Sequence, residues 1–313
     1  MQRAVKVKHH SISATGYWLL TTVYLLIYAL AACASVNAAA RPTSVAVLDF
    51  GDTVTGRRMA DKVALALASD AALLLTDREE SRAAARGAGY AGSLNMTLEE
   101  ARDLGAAIGS DFYLTGDAQT LRRSPSTGHV FYEAYASIFI VSARTGRLII
   151  WDRPSFEAGT REEAERALLA ELGRRAVAQY TAAIHAAEEQ ERQARALSTA
   201  HGAPVIEEVP EEESPAARGL RPPAPYRRLR PSYPETASRA EAEGVVDVLV
   251  DIEASGEVSR VEVVRWAGFG LDEATVQTIR QMHFRPAMRD GQPVPMRALL
   301  RYNFRRPARE IKR

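Results

Sequence analysis

Eight of the chain's fifteen prolines fall between Pro204 and Pro234. Proline locks φ, lacks an N–H and pushes the residue before it out of the helical region, so no helix or central strand runs through this stretch. The chain therefore folds as units on either side of it. With an acidic block at Glu207 to Glu213 and arginines beyond, the stretch reads as a semi-stiff linker. About 30 residues at roughly 3 Å each let it carry a domain on the order of 90 Å away. A length of 313 residues supplies two cores. A net charge of +1 and an apolar fraction of 46% are ordinary for globular protein and give no general pull toward nucleic acid.

At the other end, Arg3, Lys6 and Lys8 precede an uncharged run from Ser11 to Ala40, whose apolar heart is Tyr17 to Cys33. This is the pattern of an export signal or a membrane anchor, with its basic end on the cytoplasmic side. About 17 helical residues reach roughly 25 Å, the short end of a bilayer span. Leu30-Ala31-Ala32-Cys33 resembles the lipobox of bacterial lipoproteins. That resemblance implies lipidation of Cys33 as the first mature residue, its acyl chains serving as the anchor. Uncleaved anchoring and cleavage near Ala38 to Ala40 are the alternatives. Each places the remaining chain outside the cytoplasm, where a single cysteine forms no internal disulfide.

Residues 41–187 read as a periplasmic α/β domain with a mixed sheet. Ser44 to Phe50 is a buried strand, followed by a helix with Met59, Val63 and Leu67 four apart. Ala72 to Thr76 is a second strand, and Thr97 with Glu100 is a capping box. Three further strands run through Ser110 to Leu121, His129 to Ala143 and Arg147 to Asp152. Thr160 with Glu163 opens a long helix whose stripe is Leu168, Leu172, Ala176, Tyr180 and Ile184. Past Ala187 it has no apolar face, so fraying is expected before the linker, 188–225.

Residues 226–306 read as a small α+β domain in the order helix-strand-strand-helix-strand, with a basic tail at 307–313. Val246, Val248, Val250 and Ile252 alternate on one hairpin arm, Val258, Val261 and Val263 lie on the other, and the turn is Ala254-Ser255-Gly256. Leu271, Ala274, Thr275, Ile279 and Met282 mark the inner face of the helix. In the closing strand Leu300, Tyr302 and Phe304 fall on one side, and Arg301, Asn303 and Arg305 on the other.

Tyr233-Pro234, Gly244-Val245-Val246, Gly256-Glu257-Val258, Gly268-Phe269-Gly270-Leu271-Asp272, Phe284-Arg285-Pro286-Ala287, Asp290-Gly291-Gln292-Pro293-Val294 and Phe304 resemble the C-terminal domain of the TonB family. The resemblance implies a non-enzymatic envelope protein that supports transport across the membrane. Its partner would be an outer-membrane transporter or another envelope protein, whose extended segment joins the sheet at an exposed edge. On this sequence that edge is Arg297, Ala298, Leu299, Leu300, Arg301, Tyr302, Asn303 and Phe304. Energy-transducing family members carry a histidine within the membrane helix, whereas His9 and His10 here precede the apolar run. That favours partner capture over force transmission. More weakly, Val45 to Phe50, Thr76-Asp77-Arg78-Glu79, Ile108 to Gly116 and Arg144-Thr145-Gly146 resemble the α/β domains of curli-secretion-channel and penicillin-binding-protein-activator lipoproteins. Those imply an alternative, a periplasmic scaffold or regulator acting through the N-terminal domain, with homo-oligomerisation open.

No catalytic residue, cofactor or metal is expected. Gly87 to Gly92 spells GxGxxG but follows a helix instead of leaving a strand, so it is a connector. Leu48 to Thr53 echoes a phosphatase loop, yet glycine occupies position 51, where the acid would stand, and Asp52 or Thr53 is better read as a helix cap. The six histidines are scattered without ligand spacing.

Overall fold

The computed structural model describes residues 41–125, 128–198, 206–210 and 218–306, so the leader with Cys33 and the tail 307–313 lie outside the described residues. The N-terminal domain begins with β1 (Thr43–Phe50), whose β-branched and aliphatic residues are almost wholly buried. Thr53 then caps α1 (Val54–Leu67), accepting the Gly56 N–H at 2.8 Å, and Met59, Val63 and Leu67 are fully buried. There follow β2 (Leu73–Leu75), α2 (Arg78–Gly87), β3 (Met96–Thr97) and α3 (Leu98–Ile108). The capping box of α3 closes in both directions: Thr97 Oγ1 accepts from Glu100 N–H at 3.1 Å, and Glu100 Oε2 from Thr97 N–H at 2.7 Å. β4 (Phe112–Arg123), β5 (Phe131–Ser142), β6 (Leu148–Asp152) and β7 (Ser155–Ala158) complete the sheet, in the order β2-β1-β4-β5-β6 with β7 also on β5. β1 pairs in parallel with β2 and β4, while β4, β5 and β6 form an antiparallel meander.

The long helix comprises α4 (Arg161–Arg175), a π-helical turn (Ala176–Tyr180) and α5 (Thr181–Ser198). The π turn explains a pattern in the sequence. Leu168, Leu172, Ala176, Tyr180 and Ile184 repeat every four residues, a period too long for a turn of 3.6, so the stripe would drift off the sheet. The wider i→i+5 turn resets it, and all five side chains are fully buried. The helix does not fray after Ala187. Glu188 accepts from the Thr43 hydroxyl at 2.5 Å, and Glu191 holds Thr145 at 3.3 Å and pairs with Arg144. Among the described residues, no helix is long and apolar enough to cross a membrane.

In the C-terminal domain, β8 (Leu220–Arg221) and β9 (Ala224–Pro225) precede α6 (Glu235–Ala240), β10 (Gly244–Ile252), β11 (Val258–Trp266) and α7 (Leu271–Arg280). Then come β12 (Phe284–Arg285), β13 (Ala287–Arg289), β14 (Gln292–Val294) and β15 (Met296–Phe304). The helix-strand-strand-helix-strand order is present as α6, β10, β11, α7 and β15. The expected linker differs at its end, because β8 pairs with β13 and β9 with β12, so residues 220–225 are part of this domain.

The two domains are not held apart by the proline-rich stretch. Thr43–Arg313 is one compact unit, and the hairpin arm β11 adds to β3, with Trp266 opposite Met96. One face of the N-terminal sheet is covered by α1 and the long helix; the other by α2, α3 and an aromatic plug from the C-terminal domain. Trp266, 2% exposed, stacks on Phe139 at 5.8 Å between centroids and donates its indole N–H to the Gly146 carbonyl at 3.0 Å. Phe269 meets Phe139 edge-on at 5.5 Å. Gly268 lies between them with φ +71, and a Cβ there would come within 2.4 Å of the Phe139 ring. The Asn95 side chain stitches the junction, donating to the Val245 and Trp266 carbonyls at 2.8 and 2.6 Å and accepting the Val245 N–H at 3.0 Å.

Candidate functional site

The C-terminal sheet has the order β15-β10-β11-β3, so β15 is its margin. One face of β15 follows from the alternation in the sequence: Tyr302 and Phe304 are buried and Leu300 partly so, packed with Val246, Val248 and Val250. The other face is a charge ladder that alternation alone does not reveal. Asp247 stands opposite Arg301 and Asp251 opposite Arg297 in the β10–β15 register. Arg301 donates Nε and Nη2 to the two Asp247 oxygens at 2.7 and 2.8 Å. Arg297 does the same to Asp251 at 2.5 and 2.9 Å. Both carboxylates are about 4% exposed, and the Arg297 hydrogen bonds hold the Asp251 carboxyl below its usual range. A one-residue slip of β15 would set both arginines opposite valines or Ile252, so these pairs lock the register.

Backbone direction alternates along an edge strand. Arg297 turns its N–H and C=O away from β10, where both meet the linker: Arg297 N–H donates to the Glu207 carbonyl at 2.9 Å and Val209 N–H to the Arg297 carbonyl at 2.9 Å. Leu299, Arg301 and Asn303 share that outward direction, while Ala298, Leu300, Tyr302 and Phe304 face β10. The Arg301 carbonyl receives Arg228 Nη2 at 3.4 Å, and the same guanidinium lies 5.9 Å from the Tyr302 ring centroid. Among the described residues, none bonds the outward backbone groups of Leu299 or Asn303, and the Leu299 side chain is 55% exposed. Of the eight expected edge residues, four thus face outward, and the described linker residues 206–210 bond the backbone of this margin at Arg297.

Sequence reasoning missed Glu207, Val209, Arg228 and Arg289 at this edge. The signal was a small apolar group, Val205-Ile206 and Val209, inside an otherwise acidic and proline-rich stretch. It also missed Asn95 and Trp266 at the domain junction. Elsewhere, Asp49 is paired with Arg78 at 2.5 Å and Arg82 at 2.9 Å, and Gly89 and Gly92 lie in a loop after α2. Among the described residues, no group of three or more His, Cys, Asp or Glu is placed to hold a metal ion.

Residues 230–305 match the family described as Gram-negative bacterial TonB protein C-terminal. The matched span falls inside 226–306, so the TonB resemblance of this domain holds. The TonB C-terminal domain of Pseudomonas aeruginosa is 25% identical, with a TM-score of 0.25, over 29% of this chain and 91% of that one. A lipoprotein from Neisseria meningitidis is 18% identical, with a TM-score of 0.31, over 44% and 98%. The LpoB C-terminal domain from Salmonella enterica is 12% identical, with a TM-score of 0.26, over 38% and 86%. No curated protein matches the chain.

Proposed function

We propose that this is a cell-envelope protein, anchored through its N-terminus by lipidation of Cys33, that captures an extended segment of an outer-membrane transporter or another envelope protein by strand addition to β15. The observation that carries this reading is the margin itself. The Asp247–Arg301 and Asp251–Arg297 pairs fix its register, and among the described residues none bonds the outward backbone groups of Leu299 and Asn303, beside an exposed leucine side chain. Backbone hydrogen bonds would supply affinity and the alternating side chains selectivity. Capture, not force transmission, suits a domain docked on its neighbour through Trp266 instead of swinging on a long tether.

Proline at position 299 tests the edge, because it removes an outward N–H and leaves the ladder to β10 intact. Binding of synthetic extended segments from outer-membrane transporters of the same bacterium is measured by calorimetry for the wild type and Leu299→Pro. The variant should keep its melting temperature and lose binding; undiminished binding would rule out β15 as the receiving edge.

A second reading, a scaffold or regulator working through the N-terminal domain, draws support from the same docking. Because Trp266 and Phe269 complete the core over Phe139, deleting the C-terminal domain would damage both domains and discriminate nothing. Leu299→Pro in the whole chain does discriminate, since a scaffold would keep its principal partner.

A further inference from the structure

The linker segment on β15 has a defined geometry. Ile206 to Pro210 runs parallel to β15, with Glu208 bridged to Arg297. Its backbone takes both outward groups of Arg297 at 2.9 Å. Its anchor is charged and two-pronged: Arg289 Nη1 and Nη2 reach the two Glu207 oxygens at 2.9 and 2.8 Å. Arg289 comes from β13, which is held by β8 and β14, so the fork sits on a fixed support beside the margin. Bidentate guanidinium–carboxylate pairing is geometrically selective, which a flexible lysine would not be. Among the described residues the occupied stretch is short, and none of them bonds the outward backbone of Leu299 beyond it.

We infer that Arg289 and the outward backbone of Arg297 form the acid-reading end of the partner seat, and that Ile206 to Pro210 is its resident occupant, displaced when a partner strand arrives. This rests on the reading of β15 as the receiving edge. The seat selects an extended segment running parallel to β15, with a carboxylate two residues before the residue whose N–H bonds the Arg297 carbonyl. An acidic residue with an apolar one two positions on meets that description, as Glu207-Glu208-Val209 does. The segment carries its own negative charge and lies on the chain that carries the seat, so it competes at high effective concentration and sets a threshold for capture.

The test uses the full chain and a fluorescein-labelled synthetic peptide of the sequence APVIEEVPEEE, alongside the same peptide carrying Glu207→Gln. Val209→Pro in the chain removes the N–H donated to Arg297 and lies in the linker, away from either core. It should bind the acidic peptide on the order of tenfold more tightly than the wild type, the effect of about one hydrogen bond to a charged or well-placed group. Adding Arg289→Gln to Val209→Pro should erase the preference for the acidic peptide over its Glu207→Gln form. Amide exchange at Arg297 should be faster in Val209→Pro before peptide is added, which reports release of the resident segment without any ligand.

Equal peptide affinity and equal exchange in the wild type and Val209→Pro would overturn the resident competitor. An acidic preference that survives Arg289→Gln would overturn the acid-reading role. Leu299→Pro in the Val209→Pro background separates these from the underlying edge. If it abolishes binding, the edge stands even where the competitor fails, and if binding persists, the edge fails too. Absence of peptide binding to Val209→Pro overturns both.

Discussion

Arg297 is held from both sides: its guanidinium grips Asp251 on β10 at 2.5 and 2.9 Å, and its backbone grips Glu207 and Val209 on the opposite side at 2.9 Å. The inner grip involves a carboxylate whose side chain is 5% exposed, so the asymmetry of burial decides which partner is costly to lose. Arg297→Met leaves the Asp251 charge buried without its main donor and should destabilise the protein by about 1–3 kcal/mol. Adding Asp251→Asn should recover part of that loss. Because the Arg297 hydrogen bonds lower the Asp251 pKa below its ordinary 3.8, the contribution is present above that value and is lost as pH falls through the lowered one. Thermal melts of both variants, at neutral pH and in acid, check the ordering. A double variant no more stable than Arg297→Met would sink the account.

Trp266 belongs to one domain by sequence and to the core of the other by burial. Trp266→Ala removes the stack on Phe139 and the bond to the Gly146 carbonyl, and should cost about 3–5 kcal/mol. The more diagnostic result is cooperativity. Calorimetry should resolve one unfolding transition in the wild type and two in the variant, as the domains separate. A single transition in Trp266→Ala would mean that β3, Asn95 and Phe269 suffice to couple them.

These two residues also mark where the sequence was legible. Alternation at Leu300, Tyr302 and Phe304, the four-residue stripe from Leu168 to Ile184 and the Thr97–Glu100 box each express one element's period or cap, so they could be read without neighbours. Trp266 sits at the end of a hairpin arm, where an aromatic reads as core of its own domain. Its true partner, Phe139, lies about 130 positions earlier in the chain. A hint was present in β5, which is buried almost continuously from Ala134 to Ser142 and so must be covered on both faces. The edge was legible as a strand. Its occupancy at Arg297 was not, because prolines and glutamates describe a linker and say nothing about which surface it touches.

The proposed lipidation of Cys33 carries its own prediction. Lipidation requires the Cys33 thiol, so mass spectrometry of the mature protein should find an acylated N-terminus at Cys33, and Cys33→Ala should leave the membrane fraction or retain an intact Met1. A mature start near Ala39 in the wild type would exclude the lipid anchor and would leave the β15 reading untouched, since the two claims share no residue.

Asp272 brings a pH dependence to the domain junction. It lies in the first turn of α7, 8% exposed, and accepts the Ala267 and Gly268 N–H groups at 2.9 and 2.8 Å, pinning the turn that carries Trp266 and Phe269 into the N-terminal domain. Burial pushes its carboxyl up from 3.8 to about 7, outweighing the two amide donors that favour the charge. A folded-state pKa above the unfolded one contributes stability that is complete below 3.8 and is lost as pH rises through about 7. The junction should therefore weaken between about pH 4 and pH 7, by on the order of a few kcal/mol. Asp272→Asn removes the titration and should flatten the profile, while lowering stability at pH 5 because an amide accepts only through one oxygen. Melting temperatures across that range, with tryptophan emission reporting solvent access to Trp266, distinguish the outcomes. Parallel profiles for the two proteins would show that Asp272 stays ionised throughout, its two amide donors having prevailed over burial.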